Sequence, residues 1–301
     1  MPHRKSKGCN NRLSGRPPRS SLLQKILIST CLLYLTAALA ASCKSEEVPV
    51  SERPLPGNSS RIVMESPLDI NCLDIFIYRD SGIKELLLHR RTDTLAGAGQ
   101  LELDCTVGEG DCIAVVLASS PGHPSVASLQ SFDAMERLQM SYAREHADFP
   151  FMSGMAQFHS PGSAVIKLTP LLCKVSVKSI DNCIEGQPLL RNPRIYLRNI
   201  NASAQVLRQD GFRPSETISP PGNIRSPELM FSQVGKDIGY QRQETDLQLF
   251  CYPNDSPFSG PGTPRTEIVF EADTQNGPYI HVEELPAIRR AEEAVLDIKL
   301  Y

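Results

Sequence analysis

Ala164-Val165-Ile166-Lys167-Leu168 and Cys173-Lys174-Val175-Ser176-Val177-Lys178 are two apolar, β-branched runs separated by Thr169-Pro170. In the second run Cys173, Val175 and Val177 alternate with Lys174, Ser176 and Lys178, the two-residue period of a strand with one buried and one solvated side. The same texture recurs in both directions. Upstream, Ile70, Cys72, Ile75 and Ile77 lie in a β-branched run, Asp80-Ser81-Gly82 reads as a turn, and Leu86-Leu87-Leu88 follows. Leu101 to Cys105 alternates strictly, Gly108-Glu109 has the form of a two-residue turn, and Cys112 to Leu117 reads as the returning buried strand of a hairpin. Downstream, Arg194 to Arg198, Leu247 to Tyr252, Thr266 to Ala272, Tyr279 to Val282 and Val295 to Tyr301 are further strands. Residues 125–147, with Val126, Leu129, Phe132 and Met135, carry a three-to-four spacing that predicts one or two short helices. Phe149 to Met155 reads as a tight irregular segment, and 201–226 as a long polar, Pro-rich insertion.

Many short strands with Pro- and Gly-rich connections predict an all-β chain of two tandem β-sandwiches with short helices, divided near Pro170. The 301 residues suffice for two domains, and 24 Pro, 19 Gly and no Trp fit a loop-rich β protein better than a helical bundle. The predicted organisation is a signal segment at 1–42, a flexible tether at 43–60, an N-terminal sandwich at 61–170 and a C-terminal sandwich at 171–301.

Charge is distributed unevenly. Residues 1–42 hold seven basic side chains and no acidic one, and end in an apolar run from Ile26 to Ala41. A basic region, an apolar stretch and small residues before a cut are the layout of a secretory signal; a retained transmembrane anchor is the competing reading. Leu39-Ala40-Ala41-Ser42-Cys43 resembles a bacterial lipobox, which makes Cys43 the expected acylation site and the outer-membrane lipid an expected partner. A plain cut without lipid is the alternative. Lys44-Ser45-Glu46-Glu47 then resembles a surface-export signal, or else is a solvated linker. Without residues 1–42 the body carries 24 basic against 34 acidic residues, a net charge of about −10 that counts against nucleic-acid binding.

Of nine cysteines, six fall after Cys43: Cys72, Cys105, Cys112, Cys173, Cys183 and Cys251. They allow fifteen complete pairings, among which the sequence does not choose. The predicted hairpin sets Cys105 opposite Cys112, so these two form either a cross-strand disulfide or a pair of apolar free thiols. No C-x2-C pair, H-E-x-x-H, G-x-S-x-G elbow or P-loop occurs, so no metal, no cofactor and no enzymatic activity are expected.

The order of features resembles the fimbrial subunits of Bacteroidota type V pili. It is carried by the lipobox, Leu73-Asp74-Ile75-Phe76-Ile77-Tyr78, the Gly-containing turn before Cys112, Phe151-Met152-Ser153-Gly154, the 166–177 crossover, Cys251-Tyr252-Pro253-Asn254 and the closing Val295 to Tyr301. The resemblance covers roughly residues 43–301, and the lipobox brings the chain nearest to the anchor subunits of that family. It implies transthyretin-like sandwiches, no catalysis, fimbrial shaft subunits as partners and a place at the cell surface. It also implies that Arg61 is a candidate site for an Arg-specific protease, and that Val295, Leu296, Ile298 and Leu300 belong either to a donated subunit-contact strand or to an ordinary sandwich strand. A surface adhesin or fimbrial tip subunit that binds a host protein or glycan is the alternative function.

Overall fold

The period-two runs become strands. The computed structural model describes residues 59–93, 96–120, 122, 125–207, 212–219, 227–256 and 264–301. The first half comprises β1 (Ser60–Ser66), β2 (Leu73–Arg79), β3 (Leu86–Thr92), β4 (Gly99–Cys105), β5 (Gly110–Ala118), α1 (Phe132–Glu136), β6 (Gln139–Ser141), β7 (Met152–Ser160), β8 (Ser163–Lys167) and β9 (Thr169–Pro170). All of these strands but β6 form a three-stranded sheet, β4-β1-β8, and a five-stranded sheet, β3-β2-β5-β7-β9; β6 pairs with a strand of the second half. Ile62 and Met64 of β1 and Ala164 and Ile166 of β8 share one buried cluster with Ile75, Ile77, Ala114 and Val116 of the larger sheet. The larger sheet's other face, with Phe76, Tyr78, Ile113 and Val115, packs on Phe132 and Met135 of α1. Both faces of β5 are therefore buried, which is why Cys112 to Leu117 reads as a continuous apolar run.

The second half contains β10 (Cys173–Asn182), β11 (Arg191–Arg198), β12 (Ile200–Asn201), β13 (Ser203–Gln205), β14 (Thr217–Ile218), α2 (Pro227–Met230), β15 (Phe231–Gln233), β16 (Gln243–Cys251), β17 (Glu267–Thr274), β18 (Gly277–Glu284) and β19 (Glu293–Leu300). Its larger sheets are β16-β10-β19 and β15-β11-β17-β18, beside the two-stranded β12-β14 and β13-β6. Val175, Val177, Leu249, Ile298 and Leu300 meet Ile195, Leu197, Ile268 and Phe270 in the core. A fully extended alternation makes this possible: every second residue of each strand faces inward.

The two halves repeat one topology that the sequence does not display. In each, the first strand lies at the centre of the three-stranded sheet, pairing antiparallel with one neighbour and parallel with the half's last long strand. These trios are β4-β1-β8 and β16-β10-β19.

Three expectations need correction. Leu101 to Cys105 and Cys112 to Leu117 are strands but not a hairpin: β4 pairs with β1, whereas β5 lies between β2 and β7. A half-exposed alternating strand suits a small outer sheet, and a doubly apolar one suits the centre of a large sheet. The predicted irregular segment at 149–155 contains the start of the nine-residue β7. Gly154 disguises it; a Cβ there would lie 2.4 Å from the Lys167 carbonyl oxygen, so close approach of β8 requires glycine. The 201–226 insertion is not uniformly polar loop, because its first residues form β13, which pairs with β6, and bury Ala204 and Val206.

Candidate functional site

Strand β1 is held on both sides. It matches β4 from Ser60↔Cys105 to Ser66↔Gly99 and runs parallel to β8 from Arg61↔Ser163 to Glu65↔Lys167. Ile62, Val63 and Met64 are fully buried. Each contributes roughly 1.5–3 kcal/mol of burial free energy. The Ser60 hydroxyl donates to Ser160 Oγ at 2.9 Å, and the Arg61 amide donates to the Gly162 carbonyl at 2.8 Å.

Arg61, the candidate protease site, is 5% exposed. Its Nε donates to Asp104 Oδ1 at 2.9 Å, and Nη1 lies 3.8 Å from Glu102 Oε2. The Asp104 hydrogen bond raises the guanidinium pKa above its ordinary value. An extended backbone paired on both sides does not enter a protease cleft, which needs several residues freed from the sheet. Position also limits what a cut could do. The bond after Arg61 lies near the beginning of β1, and Ile62 to Ser66 continue without a break into β2. Cleavage would separate the residues before Ile62 and leave most of β1 seated between β4 and β8.

Strand β19 lies in the sheet of its own half. It runs parallel to β10, with a bulge between Val177 and Ser179, and occupies the place that β8 takes beside β1. Ile298 and Leu300 are buried in the core, Leu296 is half-buried, and Val295 points outward at 60% exposure. The predicted apolar face is thus Leu296, Ile298 and Leu300, with Val295 on the opposite side. Polar neighbours fasten the strand: Ser176 Oγ donates to Glu293 Oε1 at 2.5 Å, and Arg242 Nη2 to Asp297 Oδ1 at 2.9 Å. The Ser176 hydrogen bond and Lys174 hold the Glu293 carboxyl below its usual pKa, the hydroxyl having the larger effect.

Cys105 and Cys112 are buried free thiols. Their strands belong to different sheets, so the backbone register that would set them opposite one another is missing. Burial pushes the Cys105 thiol up to about 11. Cys43, Lys44, Ser45, Glu46 and Glu47, with the signal segment and nearly all of the tether, lie outside the described residues. Among the described residues no group of His, Cys, Asp and Glu has metal-site geometry, and no helix is long and apolar enough to cross a membrane.

One buried polar cluster has no signal in the sequence. Arg290 donates to the carbonyl oxygens of Pro170 (3.1 Å) and Val206 (2.7 Å) and to Ser153 Oγ (2.8 Å), tying β7 and β9 to the second half. Desolvation lowers its pKa to about 10. Nearby, Glu145 accepts from the Phe151 amide at 3.0 Å and from the Tyr252 hydroxyl at 2.9 Å. Burial raises this carboxyl to about 7. The Tyr142 hydroxyl donates to the Phe250 carbonyl at 2.8 Å, and its ring meets Tyr252 edge-on. These residues are far apart in the chain and form no spacing motif.

No protein-family model and no curated protein sequence matches the chain. Solved structures do. A protein of Bacteroides eggerthii assigned to cell adhesion aligns over 82% of this chain and 88% of its own, with a TM-score of 0.59 and 12% identity. A second, from Parabacteroides distasonis, covers 82% and 90% with a TM-score of 0.55 and 12% identity. A fimbrilin of Porphyromonas gingivalis covers 76% and 81% with a TM-score of 0.52 and 10% identity. At such identity the likeness is one of fold: the chain shares its β-sandwich architecture with fimbrial and cell-adhesion proteins of these bacteria.

Proposed function

We propose that the protein is a non-enzymatic fimbrial subunit of the FimB anchor type, attached to the outer membrane through acylated Cys43 and exposed at the cell surface at the base of the fimbrium. In this reading it binds a fimbrial shaft subunit and ends assembly, so that fimbria length is limited. The fold shared with a fimbrilin and with proteins assigned to cell adhesion supports the subunit role. The observation that carries the terminating role is β1. Subunits that join by strand addition need an open slot beside unpaired backbone groups. Here the slot between β4 and β8 is filled by a strand continuous with β2, and its only Arg lies near the strand's beginning. The 43–60 tether then links the filled body to the lipid.

Two measurements test this. Folded protein exposed to an Arg-specific protease is expected to keep Arg61 joined to Ile62, and fimbria-associated protein that begins at Ile62 would overturn the attachment. Deleting the gene and imaging fimbriae should give long, shed filaments. Normal attached filaments of unchanged length refute the anchor; with lost binding to a host protein or glycan, they support the adhesin or tip reading that the cell-adhesion relatives favour.

A further inference from the structure

We infer that Cys173 and Cys251 form an intramolecular disulfide when the chain folds under oxidising conditions. The inference does not depend on the proposed function. Among the six cysteines of the body, this pair alone consists of register partners: Cys173 of β10 lies directly opposite Cys251 at the end of β16. Directly opposed residues of an antiparallel pair project from the same face of the sheet. Both are fully buried and belong to the same core cluster.

The spacing suits the bond. Lys174 turns its amide toward β19, donating to Glu292, so the alternation of the strand turns the backbone of Cys173 toward β16. That makes Cys173 and Cys251 a hydrogen-bonded pair, whose Cα atoms stand about 5.5 Å apart. Disulfides span about 4.4–6.8 Å between Cα atoms. In the reduced state the Cys173 thiol donates to the Arg289 carbonyl at 3.0 Å, and burial holds it protonated.

Ladder register separates this pair from the other thiols. Cys72, Cys105, Cys112 and Cys173 all direct sulfur at a backbone carbonyl, those of Ser120, Ser60, Gly110 and Arg289, so closing the bond requires the Cys173 thiol to turn from Arg289 toward Cys251. Cys105 faces Ser60 across its ladder, while Cys112 faces Arg79 and Phe158. Cys183 is exposed and outside any strand.

The oxidant is a small-molecule disulfide such as oxidised glutathione. One protein thiolate attacks its S–S bond and expels a glutathione thiolate; the second protein thiolate attacks the mixed disulfide and expels another. Two protein thiols become one S–S bond, the two electrons pass to glutathione, and two glutathione thiols take up the protons. Since the closed core excludes thiolate, the exchange occurs while β10 and β16 are still docking, and the finished core then shields the bond from reductant.

The test refolds the reduced, denatured full chain in mixed oxidised and reduced glutathione, alkylates it in denaturant, and maps linked peptides by mass spectrometry. The expected product joins Cys173 to Cys251, with Cys72, Cys105 and Cys112 alkylated. Alkylation of both Cys173 and Cys251, or linkage of either to another cysteine, overturns the inference. In a second measurement, reductant present during denaturation should lower the unfolding midpoint of wild-type protein and leave that of a C173A/C251A variant unmoved. An equal response of the two proteins also overturns it.

Discussion

Replacing Glu145 with Gln should remove a pH dependence of stability that the wild-type protein carries between about pH 4.5 and 7. Glu145 is 5% exposed and accepts hydrogen bonds from the Phe151 amide and the Tyr252 hydroxyl, with Arg290 near enough to act on its charge. Those three influences favour the ionised carboxylate, but desolvation outweighs them and raises the group from 4.5 to about 7. The folded state therefore binds the proton more tightly than the unfolded state. Stability from this group is fully present below about pH 4.5, falls as pH rises, and levels off above about 7. A tenfold difference in proton affinity between the folded and unfolded states is worth about 1.4 kcal/mol, so the loss across the window comes to about 3 kcal/mol. The assay is urea unfolding of wild type and Glu145→Gln at half-unit pH steps. Other titrating groups cancel in the difference between the two proteins. Gln adds a constant offset, since its amide nitrogen cannot accept the hydrogen bond that one carboxylate oxygen accepts. The difference curve should therefore slope in favour of the variant from pH 4.5 to 7 and be flat on either side. A flat difference throughout, or a slope in favour of wild type, would refute the claim that desolvation dominates at Glu145.

Two further substitutions and a truncation probe the frame around the site. Asp74 is fully buried and accepts from His89 Nε2 at 2.9 Å and Arg91 Nη1 at 2.5 Å; Asp74→Ala leaves both without it and should cost roughly 3 kcal/mol by denaturant unfolding. Gly154→Ala places a methyl 2.4 Å from the Lys167 carbonyl oxygen and 2.7 Å from Ile166 Cγ2, so β7 and β8 must separate. Calorimetry should register a destabilisation of about 1–3 kcal/mol, and an unchanged unfolding temperature would contradict the close approach. Removing residues 295–301 takes away Ile298 and Leu300, roughly 1.5–3 kcal/mol each, and bares one side of β10. Loss of the near-ultraviolet circular dichroism signal is expected, and a truncated protein that keeps it would mean that the strand is dispensable.

The sequence is most informative where burial is decided by alternation along one strand. Cys173, Val175 and Val177 against Lys174 and Lys178 predict β10, and the spacing of Phe132 and Met135 predicts the helical turn whose apolar side covers Phe76 and Tyr78. What alternation does not carry is partner choice. Leu101 to Cys105 shows a strand, but nothing in those residues says that it pairs with Ser60 to Ser66 rather than with the nearer Cys112 to Leu117. Turn chemistry at Gly108-Glu109 favours the local hairpin, and the global packing overrides it, because β5 is apolar on both faces and is covered on both only at the centre of the five-stranded sheet. Gly154 fails for a different reason. Glycine reads locally as a break, and its need here comes from β8, which lies in another sheet. The Glu145–Tyr252 and Arg290–Ser153 contacts span separations above one hundred residues, which no local pattern encodes.

The repeated topology bears directly on how a chain of this kind could contact a neighbour. β8 and β19 occupy equivalent places, each parallel to the first strand of its half, and donation of β19 to a neighbour would require it to leave β10. Leaving would expose Ile298 and Leu300 and one side of β10, so a donated β19 must recover in the partner's slot what it gives up at home, and the exchange is close to neutral unless the slot fits better. β1 is held along both edges. Ile62, Val63 and Met64 bury roughly 5–9 kcal/mol of apolar free energy together, and the strand is covalently joined to β2 at the end that would have to move. A cut at Arg61 relieves neither constraint. Loss of the residues before Ile62 would not open the β4–β8 slot, so on the proposed anchor reading membrane attachment and refusal of a further strand are separable. A variant with Arg61 replaced by Ala and a protease site inserted after Ser66 would detach both together, and strand uptake by that protein alone, measured with a peptide of β1 sequence, would place the block in β1 itself.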